Sequence, residues 1–226
     1  MPRVKRRVLR GNVWGMTLSG LAVVLFIFGA TVGVMQLTTN QKIKAQVKTL
    51  AAQTTATGDP VVPNETKPVA ANTPVYHAAA DEPRTLTIDK IKVDAHIVGV
   101  GVKADGELKT PTNIYDVGWY KGSAKPGDLG AILLDGHVHG PTQPGVFVGL
   151  KKLKAGDKIT IKRGDGKMFT YHVVKTQSYA KDAVDMGAAF SSAVPGKPGL
   201  NMITCDGTYD SAGEYDNRLI VFAVQE

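Results

Sequence analysis

The pattern of hydrophobic and polar residues divides the chain into three parts. No charged residue occurs between Arg10 and Lys42, and the 24 residues from Trp14 to Leu37 are predominantly apolar. From about Ala51 to Pro83 the chain is rich in Ala, Thr, Pro and Asn and carries few charges. Beyond Pro83, short apolar runs alternate with Gly, Asp and Pro as far as the C-terminus. These patterns predict three different kinds of structure.

The first apolar run predicts an uncleaved transmembrane helix over residues 13–37. A helix of this length spans about 36 Å, which exceeds the roughly 30 Å of a bilayer core. The run is also longer than the apolar region of a secretory signal, which has about 7–15 residues. Residues 1–12 carry five Lys or Arg residues and form a predicted cytoplasmic basic tail. The pattern therefore predicts a single-pass cell-membrane protein whose remainder is extracellular.

Residues 38–83 form a predicted extracellular stalk, because such a composition buries little apolar surface and favours an extended, flexible chain. Residues 84–226 are enough for one domain with a proper core. Their short, β-branched apolar runs are typical of strands, and the clearest are "TLTIDKIKVDAHIVGV", "GAILLDGH", "KITIKR", "MFTYHVVKT", "LNMITC" and "RLIVFAVQ". Two segments, Gly145–Leu153 and Ala183–Phe190, resemble short helical turns. A mainly β sandwich or closed barrel is predicted.

The net charge of +7 does not indicate a positively charged folded domain, because the excess lies in the first 50 residues. Residues 1–50 hold eight of the 27 Lys and Arg residues and no Asp or Glu, which leaves 19 basic against 20 acidic residues in the remainder. A nucleic-acid-binding protein carries its positive charge on the folded domain. The excess charge here belongs to the membrane-proximal part, and nucleic acid is excluded as a partner.

Cys205 is the only cysteine in the chain and ends the predicted strand "LNMITC". A single thiol outside the cell forms no internal disulfide, so it is an inert core residue, an intermolecular partner or a nucleophile. A free thiol titrates near about 8.5 and an imidazole near about 6.5, and only the thiolate attacks. A nucleophilic Cys205 therefore requires a histidine or a cation beside it.

His137 and Arg218 are the candidates for that role. His137 follows Gly136 at the end of the predicted strand "AILLDGH", and Arg218 opens the last strand. If "LNMITC" and "RLIVFAV" are neighbours, Arg218 returns to Cys205 and its guanidinium can hold a substrate carbonyl and the oxyanion that forms on it. The alternative for Arg218 is a salt bridge to a nearby acid of the intervening loop: Asp206, Asp210, Glu214 or Asp216. His139 lies two residues beyond His137, so the pair and the cysteine also suggest a zinc hydrolase site.

The segments "DGHV", "MITC" and "RLIVFA" resemble the Gly-His segment, the Thr-Cys strand end and the Arg-led last strand of the sortases. These are cysteine transpeptidases of Gram-positive surfaces, and the similarity extends from about Leu86 to Val224. The "GHV…GPTQPGVFVGLKKLKAGDKI" stretch is most similar to the class F or class E branches. The acidic residue usual after Gly-His-Val is missing from "HVHGPTQPG".

The resemblance implies a closed sortase-type β-barrel of about eight strands with short helices, and no cofactor or metal. It implies that Cys205 is the nucleophile, His137 the general acid and base, and Arg218 the residue that positions substrate and oxyanion. Thr204 and His139 are expected to line the substrate groove. The implied substrate is a secreted protein with an LPxTG-like sorting signal, and the acceptor is an amine of the cell wall or a pilin. An inactive sortase-like wall-binding domain remains the alternative from another class.

Overall fold

The computed structural model describes residues 63–68, 77–103, 108–209 and 214–226. The predicted basic tail, the predicted membrane helix and much of the predicted stalk lie outside these residues. Within the described ranges, no helix has the length and apolar character needed to cross a membrane.

Eight strands close into a barrel in the order β1-β2-β3-β4-β7-β8-β6-β5. This arrangement confirms the predicted mainly β closed barrel of about eight strands. The strands are β1 (Pro83–Ile88), β2 (Val93–Val100), β3 (Val117–Tyr120), β4 (Ala131–Asp135), β5 (Lys158–Arg163), β6 (Met168–Ala180), β7 (Gly199–Tyr209) and β8 (Tyr215–Gln225). One α-helix, α1 (Met186–Phe190), and three short 3-10 helices (Asp89–Ile91, Leu150–Lys152, Lys181–Ala183) complete the described elements.

Each apolar run singled out in the sequence lies in a strand, with three differences. Strand β7 continues past Cys205 to Tyr209 and β8 begins at Tyr215, before Arg218, so neither residue lies at a strand end as the sequence predicts. The alternating run "TLTIDKIKVDAHIVGV" is two antiparallel strands, β1 and β2, because the 3-10 turn Asp89–Ile91 and the left-handed Lys92 (φ 56°) reverse the chain between them. Strand β3 is absent from the sequence-based prediction. Its four residues are all buried, so it has no alternation of apolar and polar positions to mark it.

Strands β4, β7 and β8 have nearly continuous apolar sequences because apolar side chains cover both of their faces. The barrel interior holds one cluster, whose largest members include Trp119, Phe147 and Tyr171. A second cluster covers the outer face of these strands, where Leu133, Ile203 and other buried side chains pack beside α1. Strands buried on both faces carry few polar residues.

Asn201 is a polar residue within this buried region, and its side chain is fully buried near the start of β7. Its Nδ2 donates hydrogen bonds to the carbonyls of Ala188, Ala189 and Ser191 at 3.2, 2.8 and 2.9 Å. These carbonyls belong to the C-terminal end of α1, where helical partners are missing. Asn201 therefore fastens α1 to the outside of the barrel.

We predict that Asn201→Leu destabilises the protein by about 1–3 kcal/mol, because it leaves carbonyls buried without their donor. Urea unfolding measures the change. Lys162→Ala, on an exposed position of β5, is the matched control and should alter stability by less than about 0.5 kcal/mol. Equal stability of the Asn201→Leu variant and the wild type would contradict the fastening role.

Candidate active site

Cys205 and Arg218 are direct partners across two neighbouring antiparallel strands, β7 and β8. The sequence-based expectation that Arg218 returns beside Cys205 therefore holds. Directly opposite residues of such a pair project their side chains on the same face of the sheet. Cys205 is half-buried and is not part of a disulfide. A thiol and a guanidinium thus share one end of the barrel.

His137 lies next to this end because β4 runs parallel to β7. The register pairs Asp135 with Ile203, so the chain beyond each strand leaves the same edge of the sheet. We call residues 136–145, which follow β4, the histidine loop. The imidazole is half-buried, and its Nε2 lies 2.8 Å from the carbonyl oxygen of Pro111. A carbonyl only accepts hydrogen bonds, so Nε2 carries the proton and the lone pair of the neutral ring is on Nδ1.

Gly136 brings the histidine loop close to the barrel. A Cβ on Gly136 would lie 2.6 Å from Cδ2 of Phe147 and 2.8 Å from Cγ1 of Val146, distances that no side chain tolerates. The Phe147 amide donates to the His137 carbonyl at 2.9 Å, which holds the loop in that place. Packing thus requires glycine at position 136, and the close approach of the loop brings the imidazole of His137 to the edge of β7.

The side chain of Thr204 contacts the peptide group between Gly136 and His137. Its side chain is 2% exposed, and its hydroxyl donates to the Gly136 carbonyl at 2.7 Å. This hydrogen bond joins the residue before Cys205 to the residue before His137. Thr204 is therefore too buried to line an open groove, and its contact is with the backbone next to His137.

The guanidinium of Arg218 is held by carbonyls. Its Nη1 donates to the backbone oxygens of Tyr215 and Asn217, both at 2.9 Å. Within the part of the chain that the structure describes, no carboxylate lies within ion-pair distance of Arg218. The guanidinium is therefore held in one orientation, and no acid among the described residues forms an ion pair with it.

The acids that offered a salt bridge to Arg218 have other partners. Asp206 accepts from the Ser178 hydroxyl at 2.9 Å, and Glu214 pairs with Lys181 at 2.7 Å. Asp216 accepts from the amide of Thr208 at 2.8 Å. Asp210 lies outside the described residues.

His139 lies on the exposed rim of the site. Its Nδ1 lies 3.2 Å from the Tyr215 hydroxyl, and the Tyr215 ring packs against Tyr209 with centroids 5.0 Å apart. This contact connects the histidine loop to the start of β8. Among the described residues, no three His, Cys, Asp or Glu side chains are grouped as ligands of one metal ion.

Burial is the main influence on the thiol. It raises the pKa of Cys205 above its ordinary value, and the positive charge of Arg218 partly offsets this by lowering it. The carboxylates of Asp135 and Glu214 add to the rise, because negative charge disfavours a thiolate. The thiol is therefore neutral in most molecules at pH 7, and the charge of Arg218 is the largest influence that favours its ionisation.

Asp135 is a buried acidic residue close to the site. Burial raises the pKa of its carboxyl, and a hydrogen bond from Thr110 and the charge of His137 work in the opposite direction. Its Oδ2 is buried without a hydrogen-bond partner in the described part of the chain. Asp135 is thus a buried acid near the thiol and the imidazole, and burial disfavours its charged form.

Sequence reasoning did not find Tyr215 or Pro111. Tyr215 stands among loop acids in "GEYDN", where an aromatic residue beside three polar ones is a signal of a contact surface. Pro111 takes part through its backbone carbonyl, and no residue type marks such a group. Asp135 was visible as the acid two residues before His137, although its electrostatic influence depends on burial.

The closed mixed barrel carries a thiol, an imidazole and a guanidinium at one end, which are residue types that cysteine-based acyl transfer uses. The family model "Sortase domain" matches residues 86–226, most of the chain. The chain belongs to the sortase family, a family of cysteine transpeptidases.

Solved structures agree with this fold. The chain is similar to the Group B Streptococcus pilus island 1 sortase C2, with 19% identity, a TM-score of 0.51 and coverage of 82% of this chain and 96% of that chain. It is also similar to Streptococcus agalactiae sortase C1 in complex with MTSET, with 20% identity, a TM-score of 0.51 and coverage of 85% of this chain and 90% of that chain. The similarity to a Clostridium perfringens sortase D5 transpeptidase has 23% identity, a TM-score of 0.47 and coverage of 65% of this chain and 79% of that chain. No curated protein sequence matches.

We predict that the alkylation rate of Cys205 by iodoacetamide rises with pH to a midpoint above that of a free cysteine thiol, because burial raises the pKa of the thiol. Arg218→Gln should move the midpoint to higher pH, since it removes the charge that lowers this pKa. Asp135→Asn should move it to lower pH. Thermal unfolding of each variant confirms that it is folded, and shifts of the same sign in both variants would contradict the electrostatic assignment.

Proposed function

We propose that this sortase-family chain is a membrane-anchored extracellular transpeptidase that uses Cys205, His137 and Arg218. It cleaves an LPxTG-like sorting signal and joins the cleaved protein to an amine. The observation that carries the proposal is the direct pairing of Cys205 with Arg218 at the barrel end beside the histidine loop. A merely structural wall-binding domain has no need of this constellation.

The first half of the reaction forms a thioester. The Cys205 thiolate attacks the threonine carbonyl carbon of the sorting signal, and the negative charge moves to the carbonyl oxygen. Collapse of this intermediate breaks the peptide C–N bond to glycine, and His137, as imidazolium, gives its proton to the departing amine. The products are an acyl-enzyme on Cys205 and a free amine peptide.

The second half reverses these roles. The acceptor amine attacks the thioester, His137 takes a proton from it, and the thiolate of Cys205 leaves. Arg218 stabilises the oxyanion in both halves, because its donors are preorganised by the carbonyls of Tyr215 and Asn217. Since the thiol is neutral in most molecules at pH 7, only a minority of the enzyme carries thiolate and imidazolium together.

The proposed partners follow from the family and from the predicted topology. The donor is a secreted protein with a C-terminal sorting signal, and the acceptor is a peptidoglycan precursor amine or a pilin lysine. Residues 13–37 anchor the chain with the N-terminus in the cytoplasm and residues 84–226 as the extracellular catalytic domain. The substrate peptide binds beside Cys205, and His139 lies on the exposed rim of this groove.

We predict a graded loss of acyl-enzyme and product when a matched LPxTG-like peptide is supplied with an amine acceptor. Cys205→Ala should abolish both, because the chain has no other thiol. His137→Ala should be nearly as severe. Arg218→Lys should lose at least about tenfold, roughly 1.4 kcal/mol, because the charge remains but the planar fork of donors does not.

His139→Ala is the matched control, since His139 is an exposed histidine two residues from His137 and should matter far less. Mass spectrometry of the acyl-enzyme on Cys205 and chromatography of the product provide the measurements. A fully active Cys205→Ala variant would reject the nucleophile assignment. A folded wild type that forms no acyl-enzyme with any peptide of a sorting-signal library would favour the inactive wall-binding domain.

We predict that protease added to intact protoplasts releases a soluble fragment that begins within residues 51–83. This result is expected because the basic residues before the apolar run keep the N-terminus in the cytoplasm and so place residues 38–226 outside. N-terminal sequencing of the released fragment identifies the cleavage site. A catalytic domain that stays protected until the membrane is permeabilised would contradict the topology.

A further inference from the structure

Residues 63–68, part of the sequence that predicts a flexible stalk, lie against the catalytic domain. We call this segment the N-terminal strap. It contacts two loops: the histidine loop, residues 136–145, and a second one, residues 110–114, which we call the support loop. These are the two loops that hold the imidazole of His137, one through its backbone and the other through its ring.

The strap pairs with the support loop as a short parallel bridge. The amide of Asn64 donates to the Thr112 carbonyl at 2.7 Å, and the amide of Ile114 donates to the Asn64 carbonyl at 3.0 Å. The side chain of Asn113 extends the bridge, because its Nδ2 donates to the Thr66 carbonyl at 3.0 Å. Three hydrogen bonds therefore fix the strap to the loop that contains Pro111.

Glu65 connects the strap to the histidine loop. Its Oε1 accepts from the amides of Thr142 and Gln143 at 2.7 and 2.9 Å, and its Oε2 accepts from the Thr142 hydroxyl at 2.5 Å. These hydrogen bonds, chiefly that of the Thr142 hydroxyl, lower the pKa of Glu65, so the acceptor is the ionised carboxylate at neutral pH. A Cβ on Gly140 would collide with Oε1, which shows how closely the loop approaches.

The two contacted loops meet at His137. The support loop presents the Pro111 carbonyl to Nε2 of the ring at 2.8 Å, and its Ile114 carbonyl accepts from the amide of Val146, just beyond the histidine loop. The tip of the histidine loop has other contacts as well: the Gly140 amide donates to the Gln143 carbonyl at 2.8 Å, and the side chain of Ile114 lies against Gly140. The carboxylate of Glu65 adds three hydrogen bonds that join this tip to the strap, and through the strap to the support loop.

We infer that the N-terminal strap is a functional part of the active site, in which Glu65 is a positioning residue for His137. The strap sets the distance between the loop that carries the imidazole and the carbonyl that orients it. The role of this orientation in catalysis rests on the proposed function, whereas the orientation itself does not. A domain cut at residue 84 would therefore lack a part of its own site.

Chemistry explains why the residue is a glutamate. The tip of the histidine loop presents two amides and a hydroxyl to one point, and a carboxylate accepts from all three at once. Glutamine keeps one acceptor oxygen for the two amides, so Glu65→Gln should retain part of the contact. Alanine retains none of it. Lys67→Ala is the matched control, because Lys67 is an exposed residue of the same strap whose side chain has no part in these contacts.

The test uses the full-length chain in detergent micelles with 13C-labelled histidine, and His137→Gln assigns the resonance of the His137 ring. Glu65→Ala should shift or broaden that resonance, Glu65→Gln should do so less, and Lys67→Ala should leave it unchanged. Hydrogen exchange of peptides covering residues 137–147 should accelerate at least about tenfold in Glu65→Ala. Exchange in the β5–β6 hairpin, far along the barrel, should stay at the wild-type rate.

The peptide-transfer assay separates this inference from the proposed function. In an active wild type, Glu65→Ala should lower kcat at least about fivefold with a smaller effect on KM, and Glu65→Gln should restore part of it. An unchanged His137 resonance, or faster exchange spread evenly over the barrel, would overturn the inference. Unchanged kcat despite a displaced ring would also overturn it. An inactive wild type rejects the proposed function, and the ring resonance alone then decides the role of Glu65.

Discussion

The whole site depends on how β7 is paired. It runs parallel to β4 on one side and antiparallel to β8 on the other, so the ends of two strands and the start of a third meet at one edge of the barrel. Strands β7 and β8 carry Cys205 and Arg218, and the loop that follows β4 carries His137. A slip of one residue in either register would turn Cys205 or Arg218 to the opposite face. The buried layers on both faces of these strands make such a slip costly, which is why the core is also the scaffold of the site.

Burial that stabilises the barrel works against the reactivity of the thiol. Cys205 lies at the point where the buried part of β7 ends, and the low polarity there raises the pKa of the thiol. Arg218 is the described group that opposes this rise, and it stays close because backbone carbonyls hold its Nη1. In the proposed reaction the same guanidinium has two roles: to favour the thiolate and to stabilise the oxyanion. An arginine fulfils both because its charge is permanent and its donors diverge.

The histidine side of the site is built differently from the cysteine side. Cys205 and Arg218 lie on strands and inherit the rigidity of the sheet, whereas His137 lies on a loop. Three kinds of contact compensate: the close packing that requires Gly136, the Thr204 hydroxyl on the peptide before His137, and the strap that joins the two loops around the imidazole. The precision of the site is therefore limited by the loop contacts, not by the barrel.

The sequence by itself determined the strand-forming runs, the mainly β class and the three reactive residue types, because alternation, Gly and Asp boundaries and a single cysteine are local signals. Tertiary structure alone decided the pairing order, the strand β3, the partners of the loop acids and the docking of residues 63–68. Those features depend on which distant segments meet, and local periodicity reports only which face of a segment is buried. Glu65 illustrates the difference: in sequence it is one acid in a polar stretch, and its role exists only because Thr142 and Gln143 fold back to it.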